Sequence, residues 1–181
     1  MKRLAVLALL MSVVLASVAN AADAPLFVAE GFVVTQEDVN RLRDCYEGGA
    51  LGMAMFSSEA EYRKKALDLR LLSGEAVAQG LDEGANEGLD TDDPFFQEKR
   101  MLRLSKRYIN HLIKTYPVSD RVILSYYRAN PERYGASPLN DTVREEVRMK
   151  VAVAKQKSIQ EAEIDRLMTK YHVQTVSETR K

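Results

Sequence analysis

The stretch Val118-Ser119-Asp120-Arg121-Val122-Ile123-Leu124-Ser125-Tyr126-Tyr127-Arg128-Ala129-Asn130-Pro131-Glu132-Arg133-Tyr134 decides how the chain is read. Pro117 closes what comes before it, because its ring disfavours helical geometry in Tyr116 and it has no N–H to donate. Ser119 then stands at an N-cap position, and Asp120 falls in the first turn, facing the positive end of the helix dipole. Val122, Ile123, Tyr126 and Tyr127 recur at helical spacing and form one apolar stripe. Asn130, pushed out of the helical region by Pro131, stops the helix. The stretch therefore predicts a short helix with two adjacent tyrosines, set between two longer helical regions.

The same residues carry a resemblance. Val118, Ser119, Asp120, Ile123, Tyr126, Tyr127, Asn130, Pro131, Glu132, Arg133 and Tyr134 match the pattern V-S-D-x-x-(I/L)-x-x-Y-Y-x-x-N-P-E-R-(F/Y). That pattern resembles the SurA and PrsA type of periplasmic foldase, where it closes the chaperone module and leads into a parvulin prolyl-isomerase domain. Here only Gly135, Ala136 and Ser137 separate Tyr134 from Pro138, so no isomerase domain fits. The start of the mature chain resembles the family more loosely. A strand-forming run, a glycine turn and Val34-Thr35-Gln36-Glu37-Asp38 lead into a helix, with Ala29-Glu30-Gly31 where the family has Val-Asn-Gly.

Working outward, residues 1–21 read as a secretory signal peptide. Lys2 and Arg3 form the positive region, Leu4 to Val18 are almost wholly apolar, and Ala19-Asn20-Ala21 supplies the small-x-small cleavage site. The expectation is a mature chain from Ala22 in the periplasm, with no stable membrane insertion after cleavage. Residues 22–181 then read as one helical domain with a core of its own. The whole chain has 26 basic and 26 acidic residues. Near-neutrality argues against nucleic acid and against an anionic membrane as partners. Cys45 is the only cysteine, so the chain has no internal disulfide framework; a buried small hydrophobe is the plain reading, and an intermolecular disulfide or a reactive thiol is the alternative.

Phe27 to Val34 is rich in strand formers and reads as one strand, or as two short ones around Gly31. Thr35 and Asp38 resemble a capping box, and Val39, Leu42 and Tyr46 give the stripe of the following helix. Ser58-Glu59-Ala60-Glu61 is a second capping box. Its helix carries Tyr62, Ala66, Leu69, Leu72 and Ala76 on one face with Leu67 and Leu71 alongside, and Gly80 is its stop. Leu81 to Pro94, glycine-rich and acidic, reads as a solvated, mobile connection. Asp93-Pro94 opens a long helix whose expected buried face runs Phe95, Leu102, Ile109, Leu112 and Tyr116, reinforced by Met101, Tyr108 and Ile113. From Asn140 or Asp141 a single helix is expected to about Tyr171. Its stripes are Val143, Val147, Val151 and Ala154, then Ile164, Leu167, Met168 and Tyr171, with a polar middle. His172 to Val176 alternates like a strand that pairs with Phe27–Val34.

Chemistry is sparse in this pattern. The two histidines, His111 and His172, make no His-x-x-x-His spacing; Cys-x-x-Cys, Gly-x-Ser-x-Gly and phosphate-cradling glycine loops are absent. The expectation is a protein that is not an enzyme, with no catalytic residues, no cofactor and no metal. Parvulins, the resemblance adds, use a histidine pair in a sheet-rich domain, and neither is present. What remains is binding surface. Met53, Met55 and Phe56, in a glycine-flanked stretch, are candidate peptide-binding residues, because methionine repacks against many partners. Tyr126 and Tyr127 join them, since tyrosine gives contact area with few rotors to freeze. Ordinary core packing is the competing reading for all five.

The sequence thus predicts a mainly α fold, a multi-helix domain like the SurA N-terminal chaperone module, with a minor two-stranded β-sheet joining the N- and C-terminal segments. The resemblance implies a holdase for extended apolar segments of unfolded exported or outer-membrane proteins. The alternative is a non-catalytic interaction subunit for one folded envelope protein or a separate isomerase-bearing foldase.

Overall fold

The computed structural model describes residues 24–47, 58–135 and 138–176. The signal-peptide reading and Met53, Met55 and Phe56 lie outside those residues. The fold is mainly helical with a small antiparallel sheet. Strand β1 (Pro25–Ala29) turns through Gly31 into β2 (Phe32–Thr35). Gly31 sits at φ +88°, a conformation that side-chain-bearing residues rarely adopt, so the glycine makes this a hairpin. Strand β3 (Gln174–Thr175) pairs with the other edge of β1, Phe27 opposite Thr175 and Val28 opposite Gln174. The sheet order is β2-β1-β3. The expected closure of the chain ends is present, but the sheet has three strands and not two, because the Phe27–Val34 segment folds on itself.

Helix α1 (Gln36–Glu47) starts at a reciprocal cap. The Thr35 N–H donates to Asp38 Oδ2 at 2.8 Å, and the Asp38 N–H donates to Thr35 Oγ1 at 3.2 Å. Helix α2 (Glu59–Ala78) starts with the Glu61 N–H donating to Ser58 Oγ at 3.3 Å. Its end is a Schellman motif: Gly80 N–H reaches Val77 O at 3.0 Å and Leu81 N–H reaches Ala76 O at 2.9 Å, with Gly80 at φ +71°. All seven apolar residues read from the α2 sequence are buried. Helices α3 (Phe96–Thr115), α4 (Asp120–Ala129), α5 (Pro131–Tyr134), α6 (Asp141–Ala154) and α7 (Gln156–Lys170) follow. Among the described residues no helix is long and apolar enough to cross a membrane.

The chain divides into two compact units, interleaved in sequence. The first takes residues up to 70, 90–99 and 171 onward. Its core is Leu26, Val34, Val39, Leu42, Cys45, Tyr46, Tyr62 and Leu69. Burial raises the Cys45 thiol, which keeps it protonated and inert, and pushes the Tyr46 phenol up to about 12. Arg41 forks onto Glu98, with Nε to Oε1 at 2.7 Å and Nη2 to Oε2 at 3.2 Å, so a nearly buried carboxylate is paired.

The second unit takes residues 71–89 and 100–170. Three features here differ from the sequence expectation. The buried line of α3 runs through Leu104, Ser105, Tyr108 and Ile113, whereas Leu102, Ile109, Leu112 and Tyr116 are only half-buried. A polar residue at position 105 hid that face from an apolar count. The acidic connection is held, not loose. Arg103 donates to the carbonyls of Ala85 at 3.1 Å and Glu87 at 2.5 Å, and Arg107 to those of Leu81, Glu83 and Gly84. Gly80, Gly84 and Gly88, all at positive φ, mark a four-residue repeat of tight turns (Leu81-Asp82-Glu83-Gly84, then Ala85-Asn86-Glu87-Gly88) whose carbonyls face those arginines. Finally, the expected C-terminal helix breaks at Lys155, at φ −97° and ψ 5°. The break lets Val147 and Val151 of α6 and Ile159, Ile164 and Leu167 of α7 each bury their own stripe.

Candidate functional site

The stretch that decides the sequence reading builds a small lobe of the second unit. Ser119 takes the N-cap backbone conformation of α4 (φ −68°, ψ 148°) without a side-chain cap bond, and its carbonyl accepts from Ile123 N–H at 3.0 Å. Asn130 ends α4, its side-chain amide donating to Tyr126 O at 2.7 Å. Pro131 then opens α5, where its missing N–H costs nothing. Asn140 caps α6, Oδ1 accepting from Val143 N–H at 3.0 Å. Ile123, Tyr134, Val147 and Val151 are buried together, with Val118, Tyr126, Tyr127, Leu139 and Val143 packed against them.

Both predicted tyrosines belong to this lobe. The Tyr127 ring stacks on Tyr134, centroids 5.8 Å apart at 28°. The Tyr134 hydroxyl donates to Glu146 Oε1 at 3.3 Å, and Arg133 pairs with the same carboxylate at 3.0 Å. Burial holds the Tyr134 phenol above its ordinary value. Two adjacent apolar lines run along α4. Ile123 lies in the lobe's core and Tyr127, four residues on, packs against it; Tyr126 also touches that core, and Val122, four residues before Tyr126, stands outside it. Val122 is 39% exposed and Tyr126 is half-buried, so the line they form is open to solvent. The single stripe read from the sequence is thus two lines with different surroundings.

A second constellation was missed by sequence reasoning. Glu75 of α2 is 4% exposed and accepts from Lys170 Nζ at 2.6 Å, Gln79 Nε2 at 3.0 Å and Arg166 Nη2 at 3.3 Å. The Tyr108 hydroxyl donates to Glu163 Oε1 at 2.6 Å, and Arg166 forks onto Glu163. Burial pushes the Glu163 carboxyl up, yet the hydrogen bonds from Arg166 and Tyr108 outweigh it and hold the group below its ordinary range. Burial and Glu163 together raise Tyr108, and the same carboxylate raises Arg166. A glutamate inside the apolar run Leu71 to Ala76 was the signal that could have pointed to this network. Among the described residues no buried side-chain polar atom lacks a hydrogen-bond partner, which suits a clasp of α7 on α2 and α3. Among the described residues no three His, Cys, Asp or Glu side chains gather to hold a metal ion.

No family model, curated protein or solved structure matches the chain.

Proposed function

We propose that this chain is a periplasmic holdase: it binds extended apolar segments of unfolded exported proteins and keeps them from aggregating, without nucleotide or isomerase activity. The observation that carries the reading is the open line of α4. Exposed Val122 and half-buried Tyr126, one turn on, offer an apolar strip about 6 Å long by helical rise, with half-buried Val118 just before the helix and exposed Arg121, Ser125 and Arg128 as flanks. An apolar strip with a polar rim is the form in which weak, sequence-tolerant peptide binding is built. The resemblance of Val118–Tyr134 to the foldase pattern supports the same reading, since in that family this element belongs to the chaperone module.

The test is light scattering of a denatured outer-membrane protein diluted into buffer with and without the mature chain. Suppressed scattering at equimolar ratio, lost in Val122→Glu without a change in Tm, is the expected result. Unchanged aggregation at molar excess, together with recovery of one stoichiometric folded partner in a pull-down, would favour an interaction subunit.

A further inference from the structure

The second unit contains a groove of about 380 Å³ between the Gly80–Glu83 turn and the last turns of α3. Arg107, His111 and Lys114 stand on its α3 side at spacings of four and three, so they share one helix face. Arg107 is fixed there, because its two terminal nitrogens donate to the carbonyls of Leu81, Glu83 and Gly84. Those acceptors are neutral, so the guanidinium is immobilised without a counter-charge. The side chains of Asn110, His111 and Lys114 take no hydrogen bond or ion pair among the described residues. Glu83 is the one carboxylate among the lining residues, and it is exposed. Leu81, half-buried, supplies an apolar wall.

From this geometry we infer that the groove binds a peptide carboxylate, the anion set against Arg107, His111 and Lys114 and a neighbouring apolar side chain against Leu81. The size matches the lower end of small-ligand sites, which combine apolar walls with a few fixed polar groups. The negative end of α3 lies at Thr115, so the attraction comes from the side chains and not from the helix dipole. Two cations, Arg107 and Lys114, line the groove against the single carboxylate of Glu83, which is the chemical reason for a carboxylate and against a cation. The groove shares no residue with the α4 strip, so either site stands if the other fails.

The test is an NMR titration of the ¹⁵N-labelled mature chain with three short peptides: N-acetyl-Ala-Ala-Leu with a free carboxylate, the same peptide amidated, and amidated N-acetyl-Glu-Ala-Leu. The free acid is expected to move the amides of Gly80–Glu83 and Asn110–Lys114, with the amidated form at least about fivefold weaker. If the Glu peptide matches the free acid, the carboxylate comes equally well from a side chain; if it matches the amide, a chain terminus is required. Lys114→Glu, at an exposed position, should weaken the free acid by about threefold to tenfold. Equal shifts from free acid and amide, shifts confined to other residues, no shifts, or an unaltered Lys114→Glu response would each overturn the assignment.

Discussion

The α4–α6 lobe and the α2–α3–α7 contact solve the same problem with different chemistry. In the lobe, Ile123, Tyr134, Val147 and Val151 meet in an apolar cluster whose polar contacts lie at its rim. Where α7 meets α2 and α3, Leu104 and Leu167 share the interior with Glu75 and Tyr108, and charge-assisted hydrogen bonds join the helices. Apolar contact is tolerant of detail, whereas a buried carboxylate demands named partners. The difference implies that the lobe is held by shape and area and the α7 contact by specific geometry and by pH.

The sharpest break in that comparison is Ile123→Ala. It opens a cavity in a cluster with few other members and should cost about 2–4 kcal/mol in urea unfolding. A loss under 1 kcal/mol would mean that the lobe core contributes little.

In the charged region the loop anchored on Arg103 and Arg107 gives the next largest effect. Gly84 sits at φ +63°, and a Cβ there would lie 2.7 Å from Glu87 Oε1. Gly84→Ala should cost about 1–2 kcal/mol. Gly88→Ala, at φ +68° with open space around it, should cost less.

Glu75 separates pairing from packing. Glu75→Ala removes an acceptor from Lys170, from Gln79 and from Arg166, which keeps Glu163, at about 1–2 kcal/mol. Glu75→Leu should recover part of that loss, since apolar replacement of a buried ion is often neutral. If both variants are equally unstable, the network matters for more than its charges.

The pH dependence gives the smallest effect. The Glu163 carboxyl is held below its ordinary value of 4.5 in the folded chain. Its contribution is therefore complete above pH 4.5 and drains away as the pH falls through the lowered value. Tyr108→Phe removes one of the bonds that lower it, so the variant should lose about 1 kcal/mol at neutral pH. Its unfolding free energy should also fall less steeply in acid. An unchanged slope would show that the Tyr108 hydrogen bond does not lower Glu163.

Legibility in the sequence follows the same division. The lobe was readable because Pro117, Asn130 and Pro131 punctuate it and Ile123, Val147 and Val151 keep strict helical spacing. The hairpin at Gly31 and the apolar part of the buried face of α2 were readable for the same reason. Glu75 and Glu98 were not, because the arginines that a buried carboxylate requires, Arg166 and Arg41, lie far along the chain. The turn repeat from Gly80 to Gly88 resembled a loose linker because its anchors, Arg103 and Arg107, belong to the next helix. The break at Lys155 has no local signal: no Pro or Gly is present, and two separate packing surfaces impose it. Tyr126 and Tyr127 were both named from the sequence as candidates, but the stacking of Tyr127 depends on Tyr134 arriving beside it, which no local pattern announces.

The claim that the open line of α4 receives client chain is tested most directly by placing a photo-crosslinking side chain at position 122 and, separately, at position 77, two exposed valines on different helices. Illumination in the presence of an unfolded outer-membrane protein should give client adducts from position 122 and few from position 77. Equal yields at both positions, or none at position 122, would contradict the account.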